Sequence, residues 1–171
     1  MFLHNAPMAV SQIVIADREG SSTAIEYLAG LTSRGYVFSP QKELYLLTDV
    51  GKNVLGIQPI TKDEAKSIMA YTPHDKAFNF YIAPDTPLHM HAHSLQDFAN
   101  KLLRVDLKSL EFHICNDEFE AWFRCLGDQE LTKKTALIKE RKIVGEPLRL
   151  LLHTVVEQRC QELLKIAAPV T

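Results

Sequence analysis

The sequence of 171 residues is poor in cysteine and in net charge. Its three cysteines, Cys115, Cys125 and Cys160, are an odd number and lack the close pairs typical of metal sites and disulfide frameworks. They predict reduced core thiols in a cytoplasmic protein. The formal net charge of −2 gives no support to polyanion binding by the chain as a whole. No apolar run is long enough to span a membrane, so we expect no membrane partner.

The sequence also lacks the short motifs that mark common active sites. It contains no P-loop, no G-x-G-x-x-G, no G-x-S-x-G and no C-x-x-C. We therefore predict that the chain is not an enzyme and needs no cofactor. Apolar residues make up 46% and charged residues 23% of the chain, which is typical of a globular protein with one large or two small domains.

Residues 21–55 carry the clearest local pattern in the first half. Ala24, Ile25, Leu28 and Leu31 recur at helical spacing, Ser21 offers an N-cap, and a glycine at position 35 suits a left-handed C-cap. Two β-favouring runs, 36–38 and 44–47, follow with a polar, proline-containing loop between them, and this pattern predicts a hairpin. Residues 48–49 would cap a further helix. Upstream, residues 7–16 suggest an additional helix and residues 17–20 a turn.

Helix, hairpin and helix in this order, with RGYVF and YLLTDVGKNVL as landmarks, resemble the winged helix-turn-helix domain of small prokaryotic transcriptional regulators. The resemblance implies a winged-helix-like domain over residues 1–72 that binds double-stranded DNA. The DNA-binding positions would be those of the recognition helix and the wing: Ser21, Ser22, Thr23, Tyr27, Arg34 and Lys42. Such domains usually begin with a long helix, for which residues 1–6 are too short. Another element or a second subunit would then cover the core, and we expect a homodimer.

The charge of this half leaves a second function open. Residues 1–72 contain six basic side chains against seven acidic ones, whereas DNA binding rests on lysine and arginine contacts to phosphate. The acidic Glu26 would lie on the exposed face of the recognition helix. Winged helices also serve as protein-docking modules, and the alternative is a protein-interaction or assembly module.

The second half is predicted to be a mainly helical domain with an N-terminal β-hairpin, over residues 77–167. Strands 77–83 and 88–92 flank a turn, and a linker at residues 72–76 would separate the two domains. Five helices follow, with N-terminal signals at Ser94, Asp106, Asp117, Asp128 and Gly145. The whole chain is therefore expected to be α+β.

The run from Ser94 to Leu131 is similar to a small archaeal and bacterial domain of unknown function, through an S-L-E-F-H step, a D-x-F-x-x-W step and a G-D-x-x-L helix start. The matching residues are Ser109, Glu111, Phe112, His113, Asp117, Phe119, Trp122, Gly127, Asp128 and Leu131. This resemblance covers about residues 78–163 and implies a fold but no activity.

Two groups of side chains could carry chemistry in the second half. His89, His91 and His93 would share one face of a strand and could chelate a metal ion such as Zn²⁺, although a polar strand edge is the simpler interpretation. The second group combines His113 and Trp122 with four carboxylates: Glu111, Asp117, Glu118 and Glu120. It could hold a general base or a small sensing pocket, but a packed helical corner capped by Asp117 is the interpretation we favour.

Overall fold

The computed structural model describes residues 8–9, 21–41 and 44–169 and has an α+β fold. The chain divides into two compact units, Met1–Pro59 and Ile60–Thr171, here called the N-terminal unit and the C-terminal unit. No helix within the described ranges has both the length and the apolar character needed to cross a bilayer.

The described part of the N-terminal unit contains a three-stranded antiparallel sheet and two helices. Strand β1 (Met8–Ala9) is followed by helix α1 (Ser21–Ser33), strands β2 (Val37–Gln41) and β3 (Leu44–Leu47), and helix α2 (Asp49–Val54). The strand order is β1-β3-β2, and the β2–β3 register shifts between Phe38 and Gln41. The predicted helix over residues 7–16 is wrong at Met8 and Ala9, which pair with β3; the rest of that segment and the predicted turn at 17–20 lie outside the described residues.

In the C-terminal unit, a short helix precedes a β-hairpin and five further helices. Helix α3 spans Lys62–Met69, a 3₁₀ turn spans His74–Lys76, and strands β4 (Phe78–Ala83) and β5 (Thr86–Ala92) pair antiparallel. The remaining helices are α4 (Leu95–Leu102), α5 (Leu107–Cys115), α6 (Glu118–Leu126), α7 (Gln129–Glu140) and α8 (Gly145–Ala167).

An aromatic cluster forms the centre of this unit. Phe78 and Phe80 on β4 pack against Phe98 on α4, with ring centroids 5.2 and 5.6 Å apart. Phe119 and Trp122 on α6 complete the cluster within 5.4 Å of Phe98. Close-packed rings of this size dominate the energetics of a core, so the cluster joins the hairpin to the helices.

The division between the units falls earlier than the linker predicted at residues 72–76. Helix α3 begins with a capping box: Thr61 Oγ1 accepts a hydrogen bond from the Glu64 amide, and the Glu64 carboxylate accepts one from the Thr61 amide. Its apolar residues Ala65 and Ile68 are buried, and the helix packs along α8. This packing makes α3 part of the C-terminal unit, although the sequence analysis had placed it in the first domain.

A buried ion network fixes α8 against the α6–α7 junction. Arg159 is 1% exposed and donates to Asp128, Glu130 and Glu162 at 2.8, 2.9 and 3.1 Å. Burial alone would lower the pKa of Arg159, but the three carboxylates outweigh it and the pKa is raised. Asp128 also caps α7, as its sequence position predicts, by accepting a hydrogen bond from the Leu131 amide.

Candidate functional site

Helix α1 buries one side and exposes the other. Ala24 and Leu28 are 5% and 2% exposed, as the periodicity predicts. Ile25 was expected on the same side, yet half of its surface is exposed, and Tyr27 is 64% exposed. The buried stripe is thus narrower than the sequence suggested, and the exposed face of α1 is partly apolar.

The junction between α1, the hairpin and α2 is held by close backbone contacts. Gly35 adopts a φ of 72°, which ends α1 and allows the Tyr36 amide to donate to the Leu31 carbonyl. Thr48 caps α2 as predicted, because its hydroxyl accepts from the Gly51 amide at 3.0 Å and donates to the Gly35 carbonyl at 2.6 Å. A Cβ at Gly51 would lie 2.1 Å from the Tyr36 carbonyl oxygen, so only glycine permits this approach.

The predicted DNA-binding residues lie in different parts of the N-terminal unit. Ser21, Ser22 and Thr23 form the first turn of α1, and Arg34 follows its last residue with an exposed side chain. Lys42 lies outside the described residues. The exposed charges of α1 and its C-terminal end are Glu26 and Arg34, so this face is close to neutral.

A bulge in β5 interrupts the alternation of side chains on which the metal hypothesis depends. Asn79 pairs with His91, and Tyr81 pairs with Pro87. Between these two pairs β5 contains more residues than β4, so the extra residues of β5 form a bulge. His89 lies in this bulge with a φ of 50°. Among the residues that the structure describes, no three His, Cys, Asp or Glu side chains are arranged to hold a metal ion.

A different imidazole cluster occurs at this end of the hairpin. His74, which the sequence analysis did not single out, lies with its ring centroid 4.9 Å from that of His91 and 5.9 Å from that of His93. Nδ1 of His91 donates to the Asn79 side-chain oxygen, and Nδ1 of His93 donates to the Thr72 carbonyl at 3.0 Å. Partial desolvation, and then the neighbouring His74 and His93, lower the pKa of His91.

His113 is a buried structural residue. The Tyr81 amide donates to its Nε2 at 2.8 Å, so the proton is on Nδ1, which donates to the Glu118 carboxylate. Burial lowers the pKa of His113, and the contact with Glu118 opposes this shift. The imidazole is therefore neutral and joins β4, α5 and α6, and no nucleophile is among these partners. This agrees with the packed corner that the sequence analysis favoured.

The predicted cap at Asp117 is the detail of that corner that differs from expectation. Asp117 has a φ of 58°, and its side chain makes no cap hydrogen bond. It contacts Lys139 instead, at 2.7 Å. Glu111 accepts a hydrogen bond from the Gly145 amide and so tethers the start of α8, and the Trp122 indole donates to the Lys76 carbonyl at 3.0 Å.

A cleft of about 460 Å³ lies along the α6–α7 seam, and two of the carboxylates considered for a sensing pocket, Asp117 and Glu120, line it. One wall carries Glu120 and Arg124 of α6 together with Asp117, the residue that precedes this helix. The three residues are spaced three and four positions apart, which places them on one side of the helix. Residues of α7 form the other wall: Gln129, Thr132, Lys133 and Ala136. Glu120 is 3% exposed, and neither of its carboxylate oxygens has a hydrogen-bond partner among the described residues. Its acidic character was visible in the sequence, but its burial was not.

The cysteines are only partly as predicted. Cys115 and Cys125 are exposed rather than buried in the core. Cys160 is buried, and burial raises the pKa of its thiol to about 12, which suppresses the reactive thiolate.

Comparison with known proteins returned no matching family model, no matching curated protein and no matching solved structure.

Proposed function

We propose that this chain is a DNA-associated regulator, in which the N-terminal unit is winged-helix-like and the C-terminal unit dimerises or senses a ligand. The observation that supports the proposal is the exposed side of α1, a helix of 13 residues followed directly by the β2–β3 hairpin. A helix of this length can lie in a major groove while a hairpin contacts the adjacent backbone.

In this proposal α1 is the recognition helix and the hairpin is the wing. The first turn of α1 and the exposed Tyr27 would face the bases, and Arg34 would contact phosphate. Since Glu26 nearly balances Arg34, the complex would form with few released counterions. We therefore expect a shallow dependence of the affinity on salt, about 0.9 in log–log slope for each phosphate neutralised.

A duplex mobility assay at low salt tests the proposal. Wild-type protein should retard a mixed-sequence duplex, and Arg34→Glu should abolish the retardation. Lys108→Glu is a matched control, because Lys108 is also an exposed basic residue but lies on α5 of the C-terminal unit. Absence of retardation at micromolar protein, or equal loss with both variants, would remove the DNA proposal.

A specific observation favours the second candidate, a protein-docking module. The N-terminal unit exposes Ile25, Tyr27, Phe38, Val50 and Val54, each at 50–64% of its surface. Exposed apolar side chains of this kind on neighbouring elements are typical of protein interfaces rather than of phosphate contacts. The occupant that we infer is a second copy of the chain, because a symmetric dimer would cover these exposed side chains on both copies at once.

Sedimentation distinguishes the two candidates. If a second copy covers this face, the wild type should be a dimer, and the double variant Ile25→Glu/Tyr27→Glu should be a monomer with an intact C-terminal unit. A monomeric wild type, or a dimer that persists in the double variant, would rule out this docking surface.

A further inference from the structure

The imidazole cluster of His74, His91 and His93 brings three titratable rings together at one end of the β4–β5 hairpin. His74 is the shared member, because its ring centroid lies 4.9 Å from that of His91 and 5.9 Å from that of His93. None of the three side chains is buried, so protons reach all of them from solvent. Imidazole is the side chain whose charge changes most readily near physiological pH. The charge of this cluster therefore depends on small changes in pH.

The groups around His91 oppose the uptake of a proton. Partial desolvation is the largest cause that lowers the pKa of His91, and His74, His93 and His89 follow in that order. Lys101 on α4 acts in the same direction. A second or third proton in the cluster would thus meet like charges from β5, from the 3₁₀ turn and from α4.

The acidic groups near the cluster do little to offset these charges. Asp97 on α4 already accepts from Lys101 at 2.5 Å and from the His93 amide at 2.9 Å. Asp75 lies in the 3₁₀ turn with an exposed side chain, where solvent screens its charge. Tyr71 stacks on His93 with ring centroids 5.1 Å apart and brings no charge. The rings are therefore packed together in a form that suits neutral imidazoles.

The 3₁₀ turn His74–Lys76 is the element that this packing holds in place. Among the described residues no hydrogen bond reaches the His74 ring, whereas Nδ1 of His91 and Nδ1 of His93 each donate to an oxygen. Protonation at Nε2 would leave both of these hydrogen bonds intact, so His74 is the ring that can yield to repulsion. At its other end, the turn is bound through the Lys76 carbonyl, which accepts from the Trp122 indole at 3.0 Å.

We propose that the imidazole cluster is a pH switch: as its rings take up protons in mild acid, their mutual repulsion moves His74 away from β5 and opens the 3₁₀ turn. The closed turn binds protons less well than the open one, because the rings are close together only in the closed form. A fall in pH below the unperturbed value of about 6.5 therefore favours the open turn. The cluster belongs to the C-terminal unit, so the inference does not depend on DNA binding.

The fluorescence of Trp122, the single tryptophan of the chain, tests the proposal on the full-length protein. As the pH is lowered, the wild type should show a reversible change that begins below about pH 6.5, while circular dichroism shows that the helices remain folded. His74→Gln should lose at least half of the amplitude of this change. His153→Gln is the matched control, because it removes a histidine of α8 outside the cluster, and it should keep the full amplitude.

Two further measurements separate repulsion within the cluster from other effects of acid. Nuclear magnetic resonance titration should give a higher pKa for His91 in His74→Gln than in the wild type, because one neighbouring positive charge is removed. In about 1 M salt, where the Debye length is about 3 Å, the amplitude of the fluorescence change should fall. The proposal is overturned if the wild type shows no change before it unfolds, if His74→Gln keeps the full amplitude, or if the pKa of His91 is the same in both proteins.

Discussion

Removal of the Arg159 side chain should strongly destabilise the C-terminal unit. Its guanidinium is buried with Asp128 and Glu130, whose side chains are 0% and 4% exposed. Arg159→Met retains much of the volume but leaves these carboxylates without their cation. Removing one partner of a buried ion pair costs about 3–5 kcal/mol, because the remaining charge stays buried. Lys134, 2.9 Å from Glu130, compensates only one of the two acids.

The expected loss can be measured selectively in the C-terminal unit. The chain has a single tryptophan, Trp122, which lies in the aromatic core of this unit, so its fluorescence reports on the unfolding of this unit. For a domain of this size, each kcal/mol shifts the melting temperature by roughly 4 °C. Arg159→Met should therefore lower the melting temperature by about 12–20 °C at neutral pH.

A matched pair of controls completes this experiment. Arg104→Met removes an exposed arginine and should change the free energy of unfolding by less than about 0.5 kcal/mol. The double variant Arg159→Met/Asp128→Asn removes one orphaned charge and should recover part of the loss, although the neutral cap is weaker. A loss below about 1 kcal/mol in Arg159→Met would refute the claim that the network is held by this cation.

Three further predictions concern other parts of the chain. Burial lowers the pKa of His113 in the folded state, so the neutral imidazole stabilises the fold above the unfolded pKa of about 6.5, and this stabilisation is lost as the pH falls below that value. In urea titrations, the free energy of unfolding should therefore decline less with falling pH in His113→Gln than in the wild type. Gly51→Ala should destabilise the N-terminal unit by about 1–3 kcal/mol through its clash with the Tyr36 carbonyl, measured by amide hydrogen exchange, whereas Gly30→Ala, whose Cβ meets nothing within 4 Å, should be tolerated. A thiol reagent should modify two cysteines rapidly in the native protein, and Cys160 only after unfolding.

Features that depend on neighbours in sequence were predicted well. Thr48, Ser94 and Asp128 each cap the helix that their position suggested, because capping needs only a hydroxyl or carboxylate two or three residues before a backbone amide. Asp117 was the exception. Its left-handed backbone turns the side chain away from the helix start, and Lys139, which lies on another helix, becomes its partner.

Features that depend on distant residues were missed. The pairing of Met8 and Ala9 with β3 makes a strand of two residues whose apolar spacing suggested a helix. The packing of Ile68 against α8 moves α3 into the C-terminal unit. In both cases the local pattern was compatible with two structures, and a tertiary contact selected the one that local propensity did not indicate.

The contrast between the histidine strand and the Glu120 cleft follows from the same reasoning. The H-x-H-x-H pattern assumed an unbroken strand, and the bulge at His89 interrupts the alternation of side chains on which the pattern depended. Glu120, in contrast, belonged to a group of carboxylates that we interpreted as part of a packed helical corner, and the packing of α6 does bury it, with no hydrogen-bond partner for its carboxylate among the described residues.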